Sequence, residues 1–510
     1  MTDRLKPLTI IPDPEYRLPG YQSTRVARSL ASFRAGTGFL TFNCNNVREH
    51  LNVQRMIQLF ATGESPLLVG ESMTSEDILV QTSVSHELRH FHDSLLSFTF
   101  FEALRRKLLL NVNSVELFKN LPRQQNAYLP AGLLDWIMTD EETRIQRKAQ
   151  LEEFYGREMK IREVPYFSDD QLEQQVRPSA TTDGLFLACS RGAVSVRTLL
   201  TTGYTDSAGE RFTAMDIYEL SAISTQLLSI TDRFGVHTGS DIYWNIFHKT
   251  YYDKVLDVID DLLVHDGNKL ISGTDVLILA SAMSMWAICA EPPDPGPELH
   301  RACPAIRFLQ LKVKLLQDKP SLKEALGNAD YLLEYFDKLM DAKPTSERVS
   351  ASTAYFMQWT SEIEAQAATR ENKPLSLSLQ YWQELLHMRD ELHRAAFGDL
   401  FFYLRGAYES TKVFGLTLPP IIFNASGYDF DKLEDCEANV AERAEAVQRM
   451  WRVSDRINGI RDATEWVHFH EAVFDKVYFD NEASSSEVHH SFLMQAVRAV
   501  TGSEIVRLPV

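Results

Sequence analysis

The chain has 510 residues, 44% hydrophobic and 24% charged, with a formal charge of −18. That is a folded globular composition, with material for roughly two to four ordinary domains or one large helical body carrying a catalytic lobe. The acidity argues against nucleic acid as a partner, because phosphate binding needs lysine and arginine gathered on one face, and no run of that density occurs.

Residues 1–36 are rich in proline, arginine and turn formers and read as an irregular arm. The stretch Met1-Thr2-Asp3-Arg4-Leu5-Lys6-Pro7 has no apolar core and no small-residue cleavage site, so a cytoplasmic protein without a secretory signal is expected. Gly38–Asn43 alternates between glycine and asparagine bounds as a short strand does, and Leu67–Gly70 is a second candidate. Ser72–Asp77 supplies N-cap oxygens and early acidic residues, predicting a helix over Thr74–Arg106. Apolar periodicity predicts further helices at 130–158, 184–201, 213–233, 241–263 and 273–290. The longest apolar stretch, Val276–Ala290, contains two serines and ends at Glu291-Pro292-Pro293. It is too short for a membrane span, so a buried helix and no membrane partner are expected.

Four prolines within 292–297 forbid a continuing helix there. Beyond them the pattern is helical at 303–317, 320–342, 346–370, 376–408, 432–458, 460–480 and 486–501. The expected plan is mainly α with a small β-sheet: a catalytic lobe with its arm over 1–290, a proline-rich linker or loop over 291–300, and a helical lobe over 301–510. The five cysteines, Cys44, Cys189, Cys289, Cys303 and Cys436, are scattered and lack CxxC spacing. They read as reduced thiols.

The chemistry lies in the helix over Thr74–Arg106, where His86-Glu87-Leu88-Arg89-His90 is an HExxH motif. Positions i and i+4 of a helix lie about 40° apart, so both imidazoles can reach one metal ion. Glu87 sits one step round, placed to take a proton from an attacking water instead of binding the metal. Apolar residues flank the motif on both sides, as in a buried helix. Asp93, seven residues after His86, shares that face and can orient a ligand histidine from behind. His92 points elsewhere and reads as structural.

A site that keeps one position open needs a third protein ligand. The residues after His90 do not continue as HxxGxxH, which excludes a third local histidine. Glu219 interrupts an otherwise apolar helix in Ala214-Met215-Asp216-Ile217-Tyr218-Glu219-Leu220-Ser221-Ala222, and the small Ser221 and Ala222 permit close helix approach. A buried carboxylate in such a setting wants a cation. Asp140, Glu141 and Glu142 are the competing source.

HELRH and the later YELSA together resemble the gluzincin group of zinc metallopeptidases. The resemblance covers about 50 residues around the two motifs. It implies a zincin-like catalytic lobe, Zn2+ bound by His86, His90 and Glu219, Glu87 as general base, and hydrolysis of a peptide bond in a protein or peptide substrate. Tyr218 stands where an asparagine often precedes the glutamate, and the motifs are farther apart than in compact members. An oxyanion donor is also needed, for which His237, Tyr243, Tyr251 and Tyr252 lie shortly after the ligand helix, with His237 and Tyr251 as the expected donors.

Two readings compete. Glu384/His387, Glu465/His468 and Glu487/His490 are ExxH pairs, the spacing by which helical di-iron carboxylate oxygenases place a carboxylate and an imidazole on one face. Alternatively, an interaction protein can retain HExxH in an inactive zincin lobe. Substrate specificity and oligomeric state are not encoded in these motifs.

Overall fold

The computed structural model describes chiefly residues 74–106, 211–248, 250–259, 273–292, 302–326, 331–368 and 373–405, with short strands and single helical residues elsewhere. These residues are mainly helical with small sheets, as the periodicity predicts. Leu67–Gly70, most of 130–158 and 184–201, and all of 432–458 and 486–501 lie outside the described residues. No helix among the described residues is long and apolar enough to cross a membrane.

The chain divides into two compact units. The first comprises Met1–Glu102, Leu199–Ser361 and Gln383–Arg456, so 291–300 falls within it. The second comprises Ala103–Thr198, Glu362–Trp382 and Ile457–Val510. In the second, Ala127–Pro130 is the central strand of three, antiparallel to Tyr478–Asp480 and parallel to Lys160–Ile161. Tyr478–Asp480 is therefore strand where periodicity predicts the end of a helix over 460–480; its aromatic pair suits a pleated surface, and cross-strand pairing decides the state.

The elements of the first unit are, in chain order, β1 (Ile11–Asp13), β2 (Ala31–Arg34), β3 (Phe39–Asn43), α1 (Ser75–Leu96), β4 (Gly203–Thr205) and β5 (Arg211–Phe212). There follow α2 (Ala214–Phe234), α3 (Val236–Ile242), a π-turn at Tyr243–Phe247, α4 (Tyr251–Asp257), the hairpin β6 (Val264–His265) and β7 (Asn268–Lys269), and α5 (Gly273–Ile288). The rest are α6 (Pro304–Gln317), α7 (Lys319–Leu326), α8 (Leu332–Leu339), α9 (Thr345–Ala368), α10 (Lys373–Gly398), α11 (Leu400–Arg405) and β8 (Ile421–Asn424). α9 and α10 each run across a boundary between the units.

The expected strand at Gly38–Asn43 is β3, the centre of a sheet with β8 parallel on one side and β2 antiparallel on the other. The arm expected to be irregular over 1–36 contains β1 and β2, which corrects that reading. Ala31-Ser32-Phe33-Arg34 holds only one strong strand former, and it becomes a strand by pairing Phe33 opposite Leu40. β2 and β3 pack on α1.

α1 and α2 begin with the same device. Thr74 and Thr213 are N-caps whose hydroxyls accept from the N–H groups of Asp77 and Asp216, while each aspartate accepts from the cap's own N–H. This Thr-x-x-Asp box satisfies two otherwise orphaned donors at each helix start. α2 ends at Gly235, whose φ of 90° favours glycine and turns the chain into α3. The two helices run antiparallel, because contacts step down α1 as they step up α2: Tyr218 to Ser97, Ser221 to Arg89, Gln226 to Thr82. α5, which packs on α2, is buried from Ile278 to Ile288, so the expected apolar helix is core. At the far end of α1, the fully buried Arg389 of α10 donates to the carbonyl of Leu95 and to the hydroxyls of Ser352 and Thr353. A guanidinium there neutralises the negative helix terminus.

Candidate metal centre

The antiparallel packing of α1 on α2 brings His86, His90 and Glu219 together; their ligand atoms all lie within 4.8 Å of one another. His86 Nε2 is 3.1 Å from His90 Nε2 and 3.3 Å from Glu219 Oε2, and His90 Nε2 is 3.5 Å from Glu219 Oε1. Ligands held 2.0–2.1 Å from a tetrahedral zinc would be spaced at about 3.4 Å, so the three fit the edges of such a site. The donor set fits as well: two ring nitrogens and a carboxylate converge, and Glu219 Oε2 is buried without a hydrogen-bond partner. Burial works to raise the Glu219 carboxyl, but the His90 and His86 imidazoles outweigh it and hold the group well below its ordinary range.

Glu87 lies beside this trio and is 7% exposed. Burial pushes its carboxyl up to about 7, with His86 opposing, Glu219 adding to the rise, and the Phe33 backbone N–H, which donates to the carboxylate, opposing again. The Phe33 ring stacks on His90 at a centroid distance of 6.0 Å. β2 is the end strand of its sheet among the described residues, and the N–H it turns toward Glu87 belongs to its outer edge.

Asp93 does not touch either imidazole. It pairs with Arg89 at 3.0 Å, and both side chains are fully buried. The group on His86 is Gln226, whose Oε1 is 3.1 Å from His86 Nδ1. His92 is buried against Tyr403, and burial, then Arg89, pushes it down to about 3, so it is neutral. His237 is exposed on α3, and Tyr243 contacts Trp244 and His248. Tyr251 opens α4, but its side chain lies outside the described residues. Its neighbour Tyr252 is at the site, edge-on to His86 at 5.9 Å. Burial, followed by Glu219 and Glu87, pushes the Tyr252 phenol well above its ordinary value, so it keeps its proton.

Glu142 is exposed, while Asp140 and Glu141 lie outside the described residues, as do Glu465/His468 and Glu487/His490. His387 is largely exposed and pairs with Glu391 one turn on. Among the described residues, His86, His90 and Glu219 form the group whose ligand atoms converge. Sequence reasoning missed Phe33 and Gln226. A polar Gln226 seven positions after Glu219 on an apolar helix face was the one available signal for the latter. No protein-family model, curated protein or solved structure matches this chain.

Proposed function

We propose that the protein is a zincin-like zinc metallopeptidase that hydrolyses a peptide bond of a specific protein or peptide substrate. The observation that carries this is the tetrahedral-edge spacing of His86 Nε2, His90 Nε2 and the Glu219 carboxylate, with Glu87 buried alongside. Zinc held there would supply Lewis acidity, polarising a carbonyl and acidifying a water. Glu87, raised to about 7, is a base poised near neutral pH to take the proton of that water and pass it to the leaving amine. Tyr252 keeps its phenolic proton and can donate to the oxyanion as it forms.

One observation favours a second reading, an interaction protein with an inactive zincin lobe: Phe33 sits on both His90 and Glu87, so the chain's own strand covers the site. Elemental analysis of purified protein and cleavage of a peptide library separate the two. The expected result is about one zinc per chain, lost in His86→Ala and weakened in Glu219→Gln. Glu87→Gln should keep the zinc while cleavage falls by roughly 10²–10⁴-fold. Cleavage by Glu87→Gln at the wild-type rate overturns the hydrolytic mechanism. Zinc-loaded wild type that cleaves nothing supports the covered, inactive lobe, and two irons insensitive to His86→Ala move the chemistry to the ExxH helices.

A further inference from the structure

A histidine can offer Nε2 to a metal only if its proton sits on Nδ1, and the partner of Nδ1 decides this. At His86 the partner is the side-chain amide of Gln226, which can present either oxygen or nitrogen. A chain of contacts running back along α1 settles which. The Thr82 hydroxyl lies 2.8 Å from the Ile78 carbonyl, which can only accept, so the hydroxyl proton is committed there. The Thr82 oxygen is then an acceptor, and the Gln226 nitrogen, 3.2 Å away, is the donor to it. That leaves Gln226 Oε1 facing His86 Nδ1 at 3.1 Å, where an oxygen requires an N–H. All of these groups are buried: Thr82 is 0%, Gln226 6% and His86 5% exposed. Water does not substitute freely for any link, and reversing the amide would set oxygen against a hydroxyl whose proton is already used.

We infer that Gln226 is a positioning residue: the relay Ile78 carbonyl–Thr82–Gln226 locks His86 in the Nδ1–H tautomer and aims the Nε2 lone pair at the point where His90 and Glu219 converge. The geometry agrees from the other side. In that tautomer His86 Nε2 offers a lone pair, not a proton, toward Glu219 Oε2 3.3 Å away. His86 Nε2 and the Glu219 carboxylate then both present lone pairs to the seam, an arrangement that a cation, or a proton on His90 Nε2, relieves. The placement follows from helix periodicity. Gln226 is seven residues from Glu219, two turns along the same face of α2, and Thr82 is one turn before His86 on α1. Antiparallel packing therefore brings the ligand and the group that orients its partner to the same seam. A neutral amide fixes the tautomer without adding charge, whereas a carboxylate there would add a third acidic group beside Glu87 and Glu219.

The inference deepens the zinc-site reading and rests on it for its effect on affinity, but the tautomer itself is measurable without metal. In metal-stripped protein labelled with ¹⁵N-histidine, long-range ¹H–¹⁵N correlation should show His86, identified by its loss in His86→Ala, protonated at Nδ1. Gln226→Leu should yield mixed tautomers and weaken zinc, measured by chelator competition, roughly 10–100-fold. Gln226→Glu keeps an acceptor for His86 Nδ1 while losing the donor to Thr82, and should restore the Nδ1–H tautomer. Thr82→Val should act in the same direction, and in the Gln226→Leu background it should cost nothing further, because Thr82 acts only through Gln226. If Gln226→Leu does not fold, Thr82→Val and Gln226→Glu carry the test. Nε2-protonated His86 in the wild type, unchanged zinc affinity in Gln226→Leu, or full additivity of the two substitutions overturns the assignment. Wild type that holds the Nδ1–H tautomer but takes up no zinc removes the zinc reading and supports the relay.

Discussion

Asp93 and Glu219 are both carboxylates at the seam between α1 and α2, and they are neutralised differently. Asp93 has a resident cation, Arg89, 3.0 Å away; both side chains are 0% exposed, and Arg89 also donates to Ser221 and to the Tyr403 carbonyl. Glu219 faces two imidazoles instead, and its side chain is 24% exposed. The first pair is closed to solvent, and burial outweighs Arg89 there, so the Asp93 carboxyl is raised above its ordinary range. The second is held by two buried imidazoles, which keep the partly exposed Glu219 carboxyl well below its ordinary range. Two polar clusters on one helix pair can thus be told apart by asking whether the cation is part of the chain.

Three experiments press on this contrast, from the largest effect to the smallest. Arg89→Met leaves Asp93 buried alone and should cost about 3–5 kcal/mol in denaturant unfolding, while Arg89→Met with Asp93→Leu should cost less than either single change. A loss below about 1 kcal/mol for Arg89→Met would mean that the closed pair is not holding the seam.

The second concerns Glu87 in metal-free protein. Its carboxyl rises from an ordinary 4.5 to about 7 on folding, chiefly through burial, so the folded state prefers the protonated form. The stability this gives is fully present below pH 4.5 and is lost as pH rises through about 7, a change of roughly 3 kcal/mol. Melting of metal-stripped wild type should therefore fall over that window, and Glu87→Gln should flatten it. An equal slope in both proteins would place the burdened group elsewhere.

The smallest effect is expected at His387, which is 52% exposed and paired with Glu391 on the surface of α10. His387→Ala should move stability by only a few tenths of a kcal/mol, as exposed pairs do, and leave metal content unchanged. Loss of bound metal in that variant would revive the di-iron reading.

Much of α1 was legible because its signals are local. The Thr74–Asp77 box, the apolar periodicity and the i, i+4 histidines all act within a few turns, and the helix starts where they predict. It stops at Leu96, short of the expected Arg106, because Ser97 is extended and its hydroxyl accepts from Phe100 N–H to start the next helical stretch. Glu219 was legible as a charged residue interrupting an apolar face, and α1–α2 packing brings it to the two imidazoles. Phe33 was not legible: its strand forms by pairing with β3, and no local pattern announces that its N–H turns toward Glu87. Asp93 shares a helical face with His86, but Arg89, at i−4 from Asp93, takes it first.

What the sequence by itself determined is therefore whatever helix periodicity and capping dictate: where α1 and α2 begin, which side chains share a face, and that two imidazoles and one acidic residue are candidates for one ion. What only the tertiary structure decided is the meeting of groups distant in the chain: Glu219 with His86, Gln226 with Thr82, Phe33 with Glu87, Tyr252 with His86, Arg389 with the end of α1. Short-range hydrogen bonds and side-chain periodicity are written residue by residue. Helix antiparallelism and strand placement depend on burying apolar surface across the whole unit, which no local window contains.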